Sequence, residues 1–216
     1  MKALVANKTN ISGSDTLLTP CMAATDTKQQ LLPRMSSDEA ALFLSFVRNS
    51  RIYVEFGTGG STAVASRHVQ SSILSVDSSR EWLDQVKTAC ASSQTKPELI
   101  FVDIGPTGEW GFPTDASTKS RWPDYHSAIW KMPHSAAADL YFVDGRFRVA
   151  CFAQIVLHCS PNAIIGIHDF TSRPKYHCVR EIAREIATAG DISFFRPLPE
   201  KRIAEALLQS FHAEPA

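Results

Sequence analysis

Apolar and polar positions follow two rhythms along this chain, and they begin near residue 33. Residues 1–32 show no sustained periodicity and are rich in Thr, Ser and Asn. They read as a loosely ordered N-terminal extension ahead of a single domain at 33–216. Ser36-Ser37-Asp38-Glu39 then has the form of a capping box, in which Ser36 and Glu39 satisfy each other's backbone N–H groups. The apolar residues Ala40, Ala41, Leu42, Leu44, Phe46 and Val47 follow it and predict a helix docked on a sheet. Short continuous apolar runs come next, at Arg51–Phe56, Ser72–Val76, Glu98–Val102, Asp139–Val143 and Ala163–Ile167. Helical patterns separate them, at Ala63–Val69, Arg80–Ala91, from Asp144 to His158, and Pro174–Thr188. Strands that are apolar on both faces and alternate with helices need a parallel sheet covered on both sides. The expected class is therefore α/β, doubly wound, with a mostly parallel sheet. Ile192–Phe195 and Arg202–Leu208 are read as an antiparallel pair that supplies the last strand, although the propensity of the second segment is helical.

One connection breaks the rhythm. Residues 105–135 are rich in Gly, Pro, Thr and Trp, and carry Trp110, Phe112, Trp122, Tyr125 and Trp130. Links in α/β folds usually span only a few residues. Two readings stand side by side: a lid or substrate wall at the strand ends, or a helix over Asp124–Lys131 whose aromatics pack on the sheet.

Open parallel sheets bind ligands at the C-terminal ends of their strands. Here those ends carry Glu55, Asp77, Asp103, Asp144 and His168-Asp169. Carboxylates gathered around one crevice repel one another unless a ligand or ion uses them. Between the first strand and its helix stands Gly57-Thr58-Gly59-Gly60-Ser61-Thr62, where glycines permit a tight turn and close approach to the backbone. Asp77 follows about 20 residues later, the spacing at which an acid reaches ribose hydroxyls. A nucleoside ligand is expected. A dinucleotide site wants G-x-G-x-x-G, but residue 62 is Thr. An acid two residues before the first glycine also suits a positive sulfonium better than a pyrophosphate.

Glu55-x-Gly57-x-Gly59-Gly60-Ser61-Thr62 resembles motif I of the class I S-adenosylmethionine-dependent methyltransferases. Val143-Asp144-Gly145-Arg146-Phe147-Arg148 and His168-Asp169 resemble the fourth- and fifth-strand motifs of the same group. The resemblance implies a Rossmann-like methyltransferase fold and S-adenosylmethionine as cofactor. It implies that Glu55, Gly57, Thr58, Gly59, Gly60 and Ser61 lie under the methionine part of the cofactor. Asp77, with Ser78 beside it, would take the ribose, and Asp103 with Ile104 would border the adenine. Asp144, His168, Asp169 and Arg146 are then the candidate catalytic residues facing the transferred methyl. His168 suits either a general base or a structural donor, and Arg146 and Arg148 suit an acidic substrate. Metal-dependent O-methyltransferases of the catechol type hold their ion at places like Asp144 and Asp169. Their third ligand is Phe170 here, so magnesium is admitted but not favoured.

Composition narrows the partners. Lys+Arg and Asp+Glu number 22 each in 216 residues, which excludes bulk attraction to nucleic acid or an anionic membrane. The five cysteines, Cys21, Cys90, Cys151, Cys159 and Cys178, include no CxxC pair. They read as reduced thiols of a cytoplasmic protein rather than a zinc or redox motif. Ala3–Ala6 is too short for the apolar core of a signal peptide, and no run is long enough to span a bilayer. The expected function is methyl transfer to a small molecule, at oxygen, with a homodimer left open. The alternatives are a cofactor-binding module without catalysis and, more weakly, a nicotinamide-dependent oxidoreductase.

Overall fold

The computed structural model describes residues 31–215, so nearly all of the expected extension, with Cys21, lies outside the described residues. Helix α1 (Ser37–Val47) starts as the capping box requires: Glu39 N–H donates to Ser36 Oγ, and Ser36 N–H donates to Glu39 Oε2 at 2.6 Å. Then come β1 (Ile52–Phe56), α2 (Gly60–His68), β2 (Ser72–Asp77), α3 (Arg80–Ala89) and β3 (Glu98–Phe101). The long connection holds several 3-10 turns and one short helix, α4 (Asp124–Ser127). β4 (Leu140–Val143), α5 (Arg148–His158) and β5 (Ile164–Ile167) complete the alternating part. Among the described residues seven strands form one sheet, ordered β3-β2-β1-β4-β5 and then the two C-terminal strands. β1 to β5 are parallel throughout.

The C-terminal third departs from the pattern read in the sequence. Pro174–Thr188 is not a helix: Pro174–Glu181 is a 3-10 segment, and Ala183–Ala189 is strand β6. Ala183, Glu185, Ala187 and Ala189 turn inward while Arg184, Ile186 and Thr188 are exposed, a period of two written in helix-favouring residues. Pairing at the sheet edge overrides their propensity. A two-residue turn with Gly190 at φ +53° leads into β7 (Ile192–Pro197). β7 lies antiparallel between β5 and β6, so the antiparallel strand is present, but its hairpin partner precedes it. Arg202–Leu208 is not a strand: it belongs to helix α6 (Lys201–Phe211), which packs on α5. Propensity wins there.

Each strand splits its side chains between two cores. Tyr53, Ile73, Leu140, Phe142, Ile192 and Phe194 pack with Phe43 and Val47 of α1 and Ala65 of α2. Val54, Phe56, Leu74, Val76, Tyr141, Val143, Ile165, Ile167 and Phe195 pack against α5 and α4 on the other face. Each such large side chain contributes about 1.5–3 kcal/mol when fully buried, so the sheet is a rigid floor for whatever sits at its strand ends. No helix among the described residues is long and apolar enough to cross a membrane.

Candidate active site

The strand order changes direction between β1 and β4, and such a switch point opens a crevice at the strand ends. Three glycines shape it, each differently. Gly57 has φ +101°, and a Cβ there would lie 2.3 Å from Gly145 N, so the β1 and β4 loops touch backbone to backbone. A Cβ at Gly60 would meet the Leu32 carbonyl carbon and Pro33 N at 2.2 Å; that glycine admits the chain before α1, not a ligand. Gly59 alone of the three is open, with only the Trp82 ring 3.9 Å from a Cβ placed there. The Trp82 indole N–H donates to the Thr58 carbonyl and holds the ring at this edge.

Glu55 lies beneath the turn with no exposed surface. Its carboxylate accepts hydrogen bonds from the hydroxyls of Tyr53, Ser61, Thr62 and Ser75. Thr62 Oγ1 in turn accepts from Gly59 N–H at 2.8 Å. Burial pushes the Glu55 carboxyl up to about 7, against the pull of the Ser61, Thr62 and Tyr53 hydroxyls. The residue read in the sequence as a ligand group therefore acts through the loop it ties down. Ser61 is equally occupied from below.

Asp77 ends β2 inside the crevice. It accepts from Thr58 N–H at 3.1 Å and Ser79 N–H at 2.9 Å, joining the glycine turn to the start of α3. Burial raises its carboxyl to about 6 in spite of those two donors. Ser78 stands next to it, half-buried. Asp103 behaves otherwise: its side chain is 58% exposed and pairs with Arg121, while its second oxygen accepts from Gly105 N–H. Ile104 is fully buried in the core.

At the ends of β4 and β5 the acids are gathered around Arg148, which is 3% exposed. Its Nη2 lies 3.2 Å from Asp144 Oδ1 and 2.9 Å from Asp169 Oδ2. Its other donors reach the carbonyls of Gly145, His168 and Asp144. His168 turns Nδ1 to Asp144 at 3.1 Å and Nε2 toward Glu39 at 3.9 Å. Burial lowers the His168 pKa, but the Asp144 hydrogen bond and charge outweigh it and the ring titrates above its ordinary value. Burial likewise raises Asp144, yet His168 and Arg148 hold it below the usual carboxylate range. Asp169 (φ +53°) also pairs with Arg173 at 2.8 Å. The ring of mutually repelling carboxylates expected from the sequence is thus broken up: Glu55 faces hydroxyls, Asp103 faces outward, and Asp144 and Asp169 share Arg148. Arg146, two residues before Arg148, leans its guanidinium on the Phe112 ring, 4.2 Å from the centroid.

No family model and no curated protein matches the chain. Solved structures do. A methyltransferase-like protein from Silicibacter pomeroyi DSS-3 is 27% identical, with a TM-score of 0.76, over 86% of this chain and 99% of that one. This chain belongs to the class I methyltransferase fold. More distant structures share the fold alone. Precorrin 8w decarboxylase of Methanobacterium thermoautotrophicum has 14% identity and a TM-score of 0.51, over 78% of this chain and 94% of its own. An rRNA methylase of Streptococcus thermophilus has 9% identity and a TM-score of 0.50, over 76% and 99%.

Within this methyltransferase fold, Asp144, His168 and Asp169 each bring a ligand atom within 4.8 Å of the others. The guanidinium of Arg148 already stands against both carboxylates, so a divalent ion would meet a fixed cation there. Phe170, at the position of the missing third ligand, packs edge-on against Phe195 in the core. The donor set does not fit magnesium. The long connection divides between its two readings. Trp122, Tyr125 and Trp130 pack around Phe147, Phe56 and Tyr141, whereas Phe112 and the 64% exposed Trp110 stay on the rim. Sequence reasoning gave Arg148 no fixed partner and passed over Trp82 as a crevice residue. The first signal was available, because Asp144 and Arg148 are four apart at a helix start.

Proposed function

We propose that this protein is a cytoplasmic enzyme transferring a methyl group from S-adenosylmethionine to a small molecule, at an oxygen, with residues 33–216 as one catalytic domain. The observation that carries the proposal is Asp77: a raised carboxyl at the end of β2, bonded to the turn whose Gly59 is left open. An ionised carboxylate accepts both hydroxyls of a ribose, and Gly59 with the Trp82 edge leaves room for the nucleoside beside it. The cofactor, when bound, supplies a methyl on a positive sulfonium. Transfer is an in-line displacement, so aligning the acceptor and excluding water supply much of the rate. Asp144, kept ionised by His168 and Arg148, would orient an acceptor hydroxyl and receive its proton as the bond to carbon forms. His168, with a carboxylate near each ring nitrogen, serves that orientation better than it serves as a free base.

The test is a calorimetric titration with S-adenosylhomocysteine, with NADH as control. Micromolar binding, about −8 kcal/mol, with no NADH signal supports the reading; no heat from the homocysteine compound overturns it. Asp77→Ala should weaken binding roughly 10- to 100-fold, the worth of hydrogen bonds to a charged acceptor. Because the ribose donates to the ionised form, wild-type affinity should be level above pH 7 and fall below about pH 6 as Asp77 protonates. The Asp77→Ala profile should be flat across that range, and a wild type that is equally flat would remove Asp77 from the site.

A second reading has its own observation. Asp144 and Asp169 are already engaged by Arg148, His168 and Arg173, as suits a binding module that acts through a partner without catalysis. A methylated product from purified protein and any hydroxylated acceptor would end that reading.

A further inference from the structure

Arg146 is the polar group this fold buries without satisfying. It is 7% exposed, and its Nε and Nη1 meet no acceptor among the described residues. Its backbone is well placed: the N–H donates to the Tyr125 hydroxyl at 3.4 Å, and the carbonyl accepts from the Cys151 thiol. Its flat face is fixed by Phe112. Only the donors are idle. Arg148, buried to a similar degree two residues on, spends its donors on three carbonyls and two carboxylates. Buried guanidinium donors left unpaired are costly and rarely retained without a partner.

The acids nearby do not fill the gap. Asp77 is taken by Thr58 and Ser79, and Asp144 Oδ1 by His168 and Arg148. The Arg146 charge is nonetheless felt at both Asp77 and Asp144, so it stands between the nucleoside side of the crevice and the β4–β5 side. Gly111 of the connection confirms the place: a Cβ there would lie 3.7 Å from Ser78 Oγ and 3.9 Å from Arg146 Cγ. A planar, delocalised cation pinned on an aromatic ring suits a planar anion.

We propose that Arg146 is a carboxylate-binding residue of the crevice, its idle donors taken up by a ligand carboxylate. The inference rests on the methyltransferase reading and deepens it. Two sources carry that chemistry: the aminoacyl carboxylate of the cofactor, and a carboxylate on the acceptor.

Three titrations of wild type, Arg146→Met and Arg146→Lys separate them. The probes are S-adenosylhomocysteine, 5′-methylthioadenosine (the same nucleoside without the carboxylate), and benzoate added to protein saturated with S-adenosylhomocysteine. If the cofactor supplies the carboxylate, Arg146→Met weakens S-adenosylhomocysteine roughly 10- to 100-fold and leaves methylthioadenosine unchanged. If the acceptor supplies it, both nucleosides bind as before and Arg146→Met abolishes benzoate binding. Arg146→Lys, which keeps the charge without the planar fork, should retain part of the affinity and carries the comparison if Arg146→Met does not fold. The proposal is overturned if no probe responds to the substitution, or if methylthioadenosine weakens as much as S-adenosylhomocysteine. Should wild type bind neither nucleoside, the methyltransferase reading fails by itself, and benzoate binding to the unliganded protein still decides Arg146.

Discussion

Arg148→Met should lower the stability of the fold by about 3–5 kcal/mol, the cost of removing one partner from a buried ion pair. The guanidinium is 3% exposed and stands against Asp144 and Asp169 at 3.2 and 2.9 Å. Methionine fills much of the volume, so the loss is electrostatic: two carboxylates face each other with His168 as their remaining shared neighbour. The carbonyls of Gly145, Asp144 and His168 lose their donors as well. Arg148→Lys keeps the charge but cannot serve five acceptors from one nitrogen, and should fall between the two. Urea unfolding of the three proteins measures this, and a loss under about 1 kcal/mol for methionine would show the cluster to be solvated rather than held by Arg148.

Gly57→Ala should be the most damaging single-methyl substitution at the crevice. The added carbon would sit 2.3, 2.5 and 2.7 Å from Gly145 N, Gly145 Cα and the Asp144 carbonyl carbon. All three are backbone atoms and cannot rotate away, and φ +101° is strained for any L side chain. Parting the β1 and β4 loops should cost at least about 2 kcal/mol and lower S-adenosylhomocysteine affinity at least tenfold. Gly59→Ala is the control, because its backbone is extended and the added carbon makes ordinary contact with Trp82. It should keep nearly full stability, and thermal melting with calorimetry on both variants checks the contrast. Equal stability losses would mean that the two loops are not locked together.

How much of this was legible in the sequence varies with the kind of evidence each segment carries. The five parallel strands announce themselves because burial on both faces leaves continuous apolar runs, as in Asp139–Val143. The α1 start was legible because a capping box is a local pattern of four residues. β6 was hidden, since Ala-Arg-Glu-Ile-Ala-Thr-Ala spells helix locally and only its neighbour β7 makes it a strand. At the site, the positions of Asp77, Asp144 and Asp169 followed from strand ends. Their partners did not: that Glu55 would face Tyr53, Ser61, Thr62 and Ser75, or that Asp103 would turn out to Arg121, depends on side-chain direction. Gly60 shows the same limit, because its neighbour is the chain at Leu32–Pro33, which no motif spacing connects to it.

The pairing of acids and arginines at the β4–β5 ends also decides how the crevice looks from far away. Charges of opposite sign held about 3 Å apart cancel one another's long-range field, and what leaks out is screened within a Debye length of about 8 Å at physiological salt. A ligand therefore arrives by ordinary diffusion rather than along a potential gradient, and discrimination begins only once it is inside, where Arg146 supplies the cation no acid has claimed.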